Sequence, residues 1–496
     1  MAMNDARGSV GDLLVLTVLV FAILAWPLAA PPIGAHGEAR EGLVVQDIVQ
    51  HGRWILPLRN GEMPSKPPLF HWIAAGVGAV VGLSDAVVRL PSALAAWLVV
   101  LLVYVVAAGG RTSGWLAVGA LAGMPAFFES ASEARVDMLF TASVTLALVG
   151  FLRWYRTDDW WARAGCYAAV AAAVLTKGPA GAVLPTLVIL VFLARERRLD
   201  RLLAFWSWGL AGAVLLVDVG WYVLASYAGG AGFLARQIFH ENVDRFVGRG
   251  VFGMHGGRSR LAMAENLATD LLPWNLVLLW AAARWWRGER EDTVGRFLHT
   301  WWIVILIFFT AAYGKRGVYL LPLYPAIALL AGRALAAVVA RLQADPVSGA
   351  HPAFVRVLRR VAPERPGRAL IAAVVVIDLA VVLVGQIARV QRAGRASLVP
   401  FAREVAAAVS PTTPLVADRS LDESDLLVMA YRLAREVPRV VEGARCVPGT
   451  YRLATPREGT PSASPLVTSK RRGVAVVLVQ DTATTCPLAL GNEHDR

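Results

Sequence analysis

Apolar runs suited to crossing a lipid bilayer recur along this chain as far as residue 388, and they leave few folds open. They lie at approximately 11 to 31, 91 to 109, 113 to 128, 136 to 152, 162 to 176, 179 to 194, 203 to 227, 266 to 283, 298 to 313, 317 to 340 and 369 to 388. A hydrocarbon core about 30 Å thick takes roughly 20 apolar residues of helix, and only helices or closed barrels satisfy their backbone there. With 56% of 496 residues hydrophobic and a mean hydropathy of +0.53, the chain reads as an α-helical polytopic membrane protein. The first run, Leu13 to Ala30, is long enough to span and is read as a retained signal anchor rather than a cleaved leader.

A further run, 68 to 83, is short and interrupted by glycines, and its behaviour sets the orientation of everything after it. If it does not cross and the N-terminus is inside, Arg111, Arg153, Arg195 to Arg201, Arg284 to Arg296 and Arg356 to Arg368 all fall in the cytoplasm, as the positive-inside rule asks. If it crosses, every cluster flips. It is therefore read as re-entrant or interfacial, giving about eleven crossings (11 to 13 helices) and an extracytoplasmic C-terminus. The formal charge of +13 belongs to these short clusters, so no nucleic acid is expected as a partner. The expected division is a transmembrane domain over 1–392, with an extracytoplasmic loop at 32–90 and a flexible loop at 228–265, and a soluble α/β domain over 393–496. In that tail Leu415 to Ala417 and Val474 to Val479 read as strands and Leu426 to Arg435 as helix.

One stretch between the apolar runs is dense in charge: residues 35 to 73, AHGEAREGLVVQDIVQHGRWILPLRNGEMPSKPPLFHWI. Residues 38 to 50 read as a short amphipathic helix lying on the membrane, ended by Gly52. Asn60-Gly61 is a turn signal, and Lys66 is presented just before the stiff pair Pro67-Pro68. The result is carboxylates and a lysine held together at one membrane surface.

The acidic, Arg-bearing helix after the first run and the segment G-x-W-x-x-P, N-G, K-P-P-L, W resemble the bacterial GT-C glycosyltransferases, the protein mannosyltransferase-like family that includes the aminoarabinose transferases of lipid A. The likeness continues through RLPSAL (89 to 94), RVDML (135 to 139), TKGP (176 to 179), PW (273 to 274) and KRGVYLLP (315 to 322), covering roughly the first 330 residues. It implies an inverting transfer from a polyprenyl-phosphate (undecaprenyl-phosphate) sugar donor to a lipid, glycan or protein acceptor, with membrane lipids as the other partners, at the outer face of the bacterial inner membrane. It also implies catalytic carboxylates at Glu38 and Asp137, although Gly37 stands where the family carries an aspartate. Lys66, Arg89, Arg245, Arg249, Lys315 and Tyr319 are the residues it points to for the donor phosphate, with Arg89 equally suited to clamping its own loop.

Some relatives bind a metal through a histidine and an acidic residue; Asn242 and Ser65 occupy those places here, so no metal or other cofactor is expected. His240 and His255 read as ordinary polar contacts. Asp218 and Asp378 lie within apolar runs, where they read as protonated or Arg-paired residues between helices. Cys446 and Cys486 are a candidate disulfide in an extracytoplasmic tail. The readings from other classes are a transporter or lipid flippase, which would show more mid-membrane polar residues and two related halves, and a non-catalytic lipid-binding relative.

Overall fold

The computed structural model describes residues 2–107, 110–230, 232–249, 261–271, 274–275, 291–344, 366–395, 397–440, 449–455, 465–471 and 474–481. His255, Cys446 and Cys486 lie outside them. The chain forms two compact units. The first comprises Met1–Trp26, Ser65–Phe70 and Pro91–Ile387; the second comprises Pro27–Pro64, His71–Leu90 and Ala388–Arg496.

Helices α1 to α9 run Ala2–Ala29, His36–His51, Leu69–Val81, Asp85–Val106, Arg111–Ala122, Pro125–Ala131, Val136–Thr157, Trp160–Lys177 and Ala180–Arg195. Among the described residues seven helices are long and apolar enough to cross a membrane: Val10–Ala29, Asp85–Val106, Val136–Thr157, Trp208–Gly229, Thr293–Ala311, Gly317–Ala340 and Ala372–Gln391. This is a multi-pass membrane protein. At 13 residues, α3 is about 20 Å long, short of the bilayer core. The run expected at 113 to 128 is two helices, because Pro125 has no N–H to continue α5 and instead starts α6 from its first turn.

In the first unit the packing is aromatic at one end. Phe151 lies 5.3 Å from Phe205 and 5.9 Å from Phe297, and Phe192 meets Phe297 edge to face at 5.0 Å. These offset and T-shaped pairs add to what their burial contributes. Helices α8 and α9 approach closely: a Cβ on Gly181 would stand 2.3 Å from the Ala173 carbonyl carbon, so only glycine fits. Asp218 and Asp378 are both buried, and the Asp378 carboxylate rests against Gly119 and Gly123.

The second unit joins α2 to the tail. Strands β1 (Leu415–Ala417), β2 (Tyr451–Ala454), β3 (Val467–Arg471) and β4 (Val474–Gln480) form a sheet in the order β1-β2-β4-β3. Strands β1 and β2 are parallel, and a parallel pair needs a crossover, which helix Glu423–Leu433 supplies. That helix starts at Asp422, whose side chain accepts from the Ser424 N–H.

Helix α2 does not lie on a surface as its pattern suggested. Ten of its sixteen residues are buried, including Glu38, Glu41 and Asp47. The face that reads as polar is internal because each of its carboxylates finds a partner there. Glu41 takes Arg40 at 2.6 Å and His71 Nε2 at 2.7 Å. Asp47 accepts from Arg53 at 2.9 Å and from the Leu58 N–H at 2.7 Å. Helix Glu423–Leu433 also packs on α2, with the Tyr431 ring seated on Gly42 and the Gln46 amide donating to the Tyr431 carbonyl at 2.9 Å. Gly52, at φ 66°, ends α2 with its N–H on the Ile48 carbonyl.

Candidate functional site

The TKGP motif is a helix break that delivers a cation. Gly178, at φ +76°, stops α8 with its N–H on the Val174 carbonyl, and Pro179 leads into α9, so Lys177 is left at the C-terminal end of α8. Its Nζ donates to Asp137 Oδ1 at 2.7 Å. Asp137 is in the first turn of α7, where a carboxylate also complements the helix dipole, and Arg135 Nε stands 3.4 Å from its other oxygen. The same ammonium lies 4.6 Å over the ring of Tyr319, carried on a short 3-10 helix, Gly317–Leu323, and 4.8 Å over Phe140. A cation between two rings and a carboxylate is held in one place.

A cavity of about 320 Å³ opens beside it. Its charged lining is Lys66, Lys177, Arg245 and Glu241, and its walls include Val183, Phe246, Phe308, Phe309 and Tyr319. Glu241 sits in a π-helix, Ala235–Asp244, and Arg245 opens the α-turn that follows. Such wide turns are rare and concentrate at functional sites. Arg245 Nη2 donates to Glu241 Oε2 at 2.8 Å, and Lys66 Nζ lies 3.9 Å from that same oxygen. Asn242 also lines the cavity and donates to the Gln237 carbonyl. His240 pairs with Asp244 at 3.4 Å.

Of the residues singled out from sequence, Lys66, Arg245 and Tyr319 share this cavity, and Asp137 stands directly behind it through Lys177. Lys315 is buried next to Gly314, a lining residue, and Arg249 is exposed just past the π-helix. Glu38 and Arg89 belong to the second unit, paired with each other. Arg89 is 0% exposed, donates through Nε and Nη2 to the two Glu38 oxygens at 2.6 and 3.0 Å, and spends Nη1 on the carbonyls of Leu28 and Pro31. Here Arg89 clamps its own loop. Lys177, within TKGP, and Glu241, just before Asn242, line the cavity without having been expected there from sequence.

Over residues 65–223 the chain matches the family model described as dolichyl-phosphate-mannose-protein mannosyltransferase. It is 32% identical over 342 residues to an undecaprenyl phosphate-alpha-4-amino-4-deoxy-L-arabinose arabinosyl transferase of Pseudomonas paraeruginosa, covering 64% of this chain and 59% of that one. A Pseudomonas fluorescens protein of the same description is 29% identical over 338 residues, 64% of this chain and 56% of its own. The chain thus spans a little over half the length of these curated relatives. The crystal structure of ArnT from Cupriavidus metallidurans bound to undecaprenyl phosphate superposes with a TM-score of 0.77 at 21% identity, over 96% of this chain and 99% of that one. In fold, then, the chain is a GT-C-type membrane protein, and over 64% of its length its sequence resembles the aminoarabinose transferases.

Proposed function

We propose that this protein is an integral membrane glycosyltransferase that moves a sugar from a polyprenyl-phosphate donor to an acceptor at the extracytoplasmic face of the bacterial inner membrane. The observation that carries this reading is the meeting of Lys66, Lys177 and Arg245 on one cavity with aromatic and aliphatic walls. Cations beside apolar walls suit a phosphate attached to a hydrocarbon chain, the chemistry of the undecaprenyl phosphate after which its relatives are named. The acceptor oxygen attacks the anomeric carbon, the bond from that carbon to the phosphate oxygen breaks, and the electron pair stays on the phosphate. Lys66, Lys177 and Arg245 meet the charge that develops there. Tyr319 and Asp137 hold Lys177 in position, while Arg249 and Lys315 are proposed as flanking cations.

The acceptor's proton goes to a carboxylate, for which Asp137 is the proposed residue; Glu38, both of whose oxygens are held by Arg89, is assigned a structural role instead. The sugar proposed is 4-amino-4-deoxy-L-arabinose or a related pentose or hexose, and the acceptor is lipid A, a glycan or a protein. Purified protein given radiolabelled polyprenyl-phosphate sugars tests the assignment. Asp137→Asn should lower kcat by about a hundredfold or more, and Lys66→Ala should weaken donor use. Transfer that survives both substitutions rejects the site.

A further inference from the structure

Gly178 does more than end α8. It stands in sequence between two residues that line the cavity, Lys177 and Pro179, and the place a side chain would fill is open. A Cβ there would lie 3.4 Å from the Tyr222 hydroxyl and 3.5 Å from both the nitrogen and the oxygen of the Asn242 amide, ordinary contact distances for an atom with room to sit. Three polar atoms therefore surround one open spot at the cavity's edge. The Tyr222 hydroxyl, carried on helix Trp208–Gly229, is buried and has no hydrogen-bond partner among the described residues. Asn242 spends one amide N–H on the Gln237 carbonyl at 2.6 Å, and its side-chain oxygen accepts from none of the described residues. A buried hydroxyl without a partner is uncommon because it forfeits its bonds to water, and it calls for an explanation.

We propose that Tyr222 and Asn242, over the bare α-carbon of Gly178, form a subsite for one hydroxyl of the donor's sugar. The inference rests on the lipid-phosphate reading above and adds which residues read the sugar. The phenol O–H and the second amide N–H can donate, and the amide oxygen can accept. Such a spot suits a group that both donates and accepts, as a sugar hydroxyl does; the oxygens of a phosphodiester only accept. The spot is also uncharged, unlike the lining made by Lys66, Lys177, Glu241 and Arg245, so it discriminates by hydrogen-bond pattern rather than by charge. Because Lys177 and Gly178 are consecutive, the subsite adjoins a cation proposed for the phosphate, as a sugar joined directly to that phosphate requires. An analogue that lacks the hydroxyl would leave the Tyr222 and Asn242 groups unpaired, which is how a polar subsite rejects the wrong ligand.

The full chain in nanodiscs of uncharged lipid tests this by equilibrium binding of three probes that each carry one negative charge. Farnesyl methyl phosphate offers no hydroxyl, whereas farnesyl phosphoryl-mannose and farnesyl phosphoryl-L-arabinose do. Wild-type protein should bind at least one sugar diester more tightly than the methyl diester. Tyr222→Phe, which removes a single oxygen, should lower that preference about fivefold, the scale of one hydrogen bond. Asn242→Leu should lower it at least as much, and both variants should hold the methyl diester as wild type does. A preference unmoved by Tyr222→Phe overturns the proposal, and so does an equal loss on all three probes, which would make the two residues supports of the cavity wall. A wild-type protein without preference for either sugar diester also overturns it; if Lys66→Ala still weakens binding of the methyl diester, the lipid-phosphate reading survives that result. If wild-type protein binds none of the probes, both fall together.

Discussion

At the scale of single residues, the second unit buries several of its charges in pairs. Arg89 and Glu38 form a bidentate pair with almost no solvent. Removing one partner of such a pair strands the other, which typically costs about 3–5 kcal/mol, whereas replacing both by apolar groups costs far less. Arg89→Ala should therefore lower the melting temperature in detergent sharply, and Arg89→Met combined with Glu38→Met should recover much of the loss. Glu41 gives a pH dependence of definite sign. Burial alone would raise its pKa, but Arg40 and His71 outweigh burial and hold the carboxyl well below its ordinary value. A folded value below the unfolded one of about 4.3 means that its stabilisation is complete above that pH and drains away as pH falls further. Melting curves of wild type and Glu41→Gln should accordingly run apart at neutral pH and converge below about pH 4; parallel curves would contradict the assignment.

Among the elements, the ones that periodicity describes well are those whose surroundings are uniform. Helices in lipid are apolar all round, and the expected runs at 91 to 109, 136 to 152 and 203 to 227 became Asp85–Val106, Val136–Thr157 and Trp208–Gly229. Helix α2 is the opposite case. Its ends were legible from Gly52, but its environment was not, because a glutamate facing water and a glutamate facing Arg89 look alike until the fold brings residues 51 positions apart together. The cavity behaves similarly: Lys66 and Asp137 were legible from motifs, whereas the pairing of Lys66 with Glu241 depends on a π-helix, a register that no apolar spacing announces. The fit of α2 against the tail makes its own prediction. A Cβ on Gly42 would stand 2.6 Å from the Tyr431 ring, so Gly42→Ala should push helix Glu423–Leu433 away at a cost of about 1–3 kcal/mol. Limited proteolysis should then cut the tail faster than in wild type, and unchanged cleavage would show that the two helices yield to the extra methyl.

For the whole molecule, orientation is the property that follows from charge alone. The proposed placement of the cavity on the extracytoplasmic side is checked by single cysteines at Glu62→Cys and Arg197→Cys in intact cells. A membrane-impermeant reagent should label the first and spare the second, and labelling of both from one side would overturn the topology. The second unit is assembled from three separated lengths of sequence, so α2, near the beginning, is roofed by a helix made nearly four hundred residues later. Synthesis therefore leaves α2 uncovered until translation is almost finished. A nonsense mutation past Gln391 would spare every spanning helix among the described residues and still deprive α2 of its lid, so late-stop alleles should be degraded like early ones instead of yielding a trimmed, working protein.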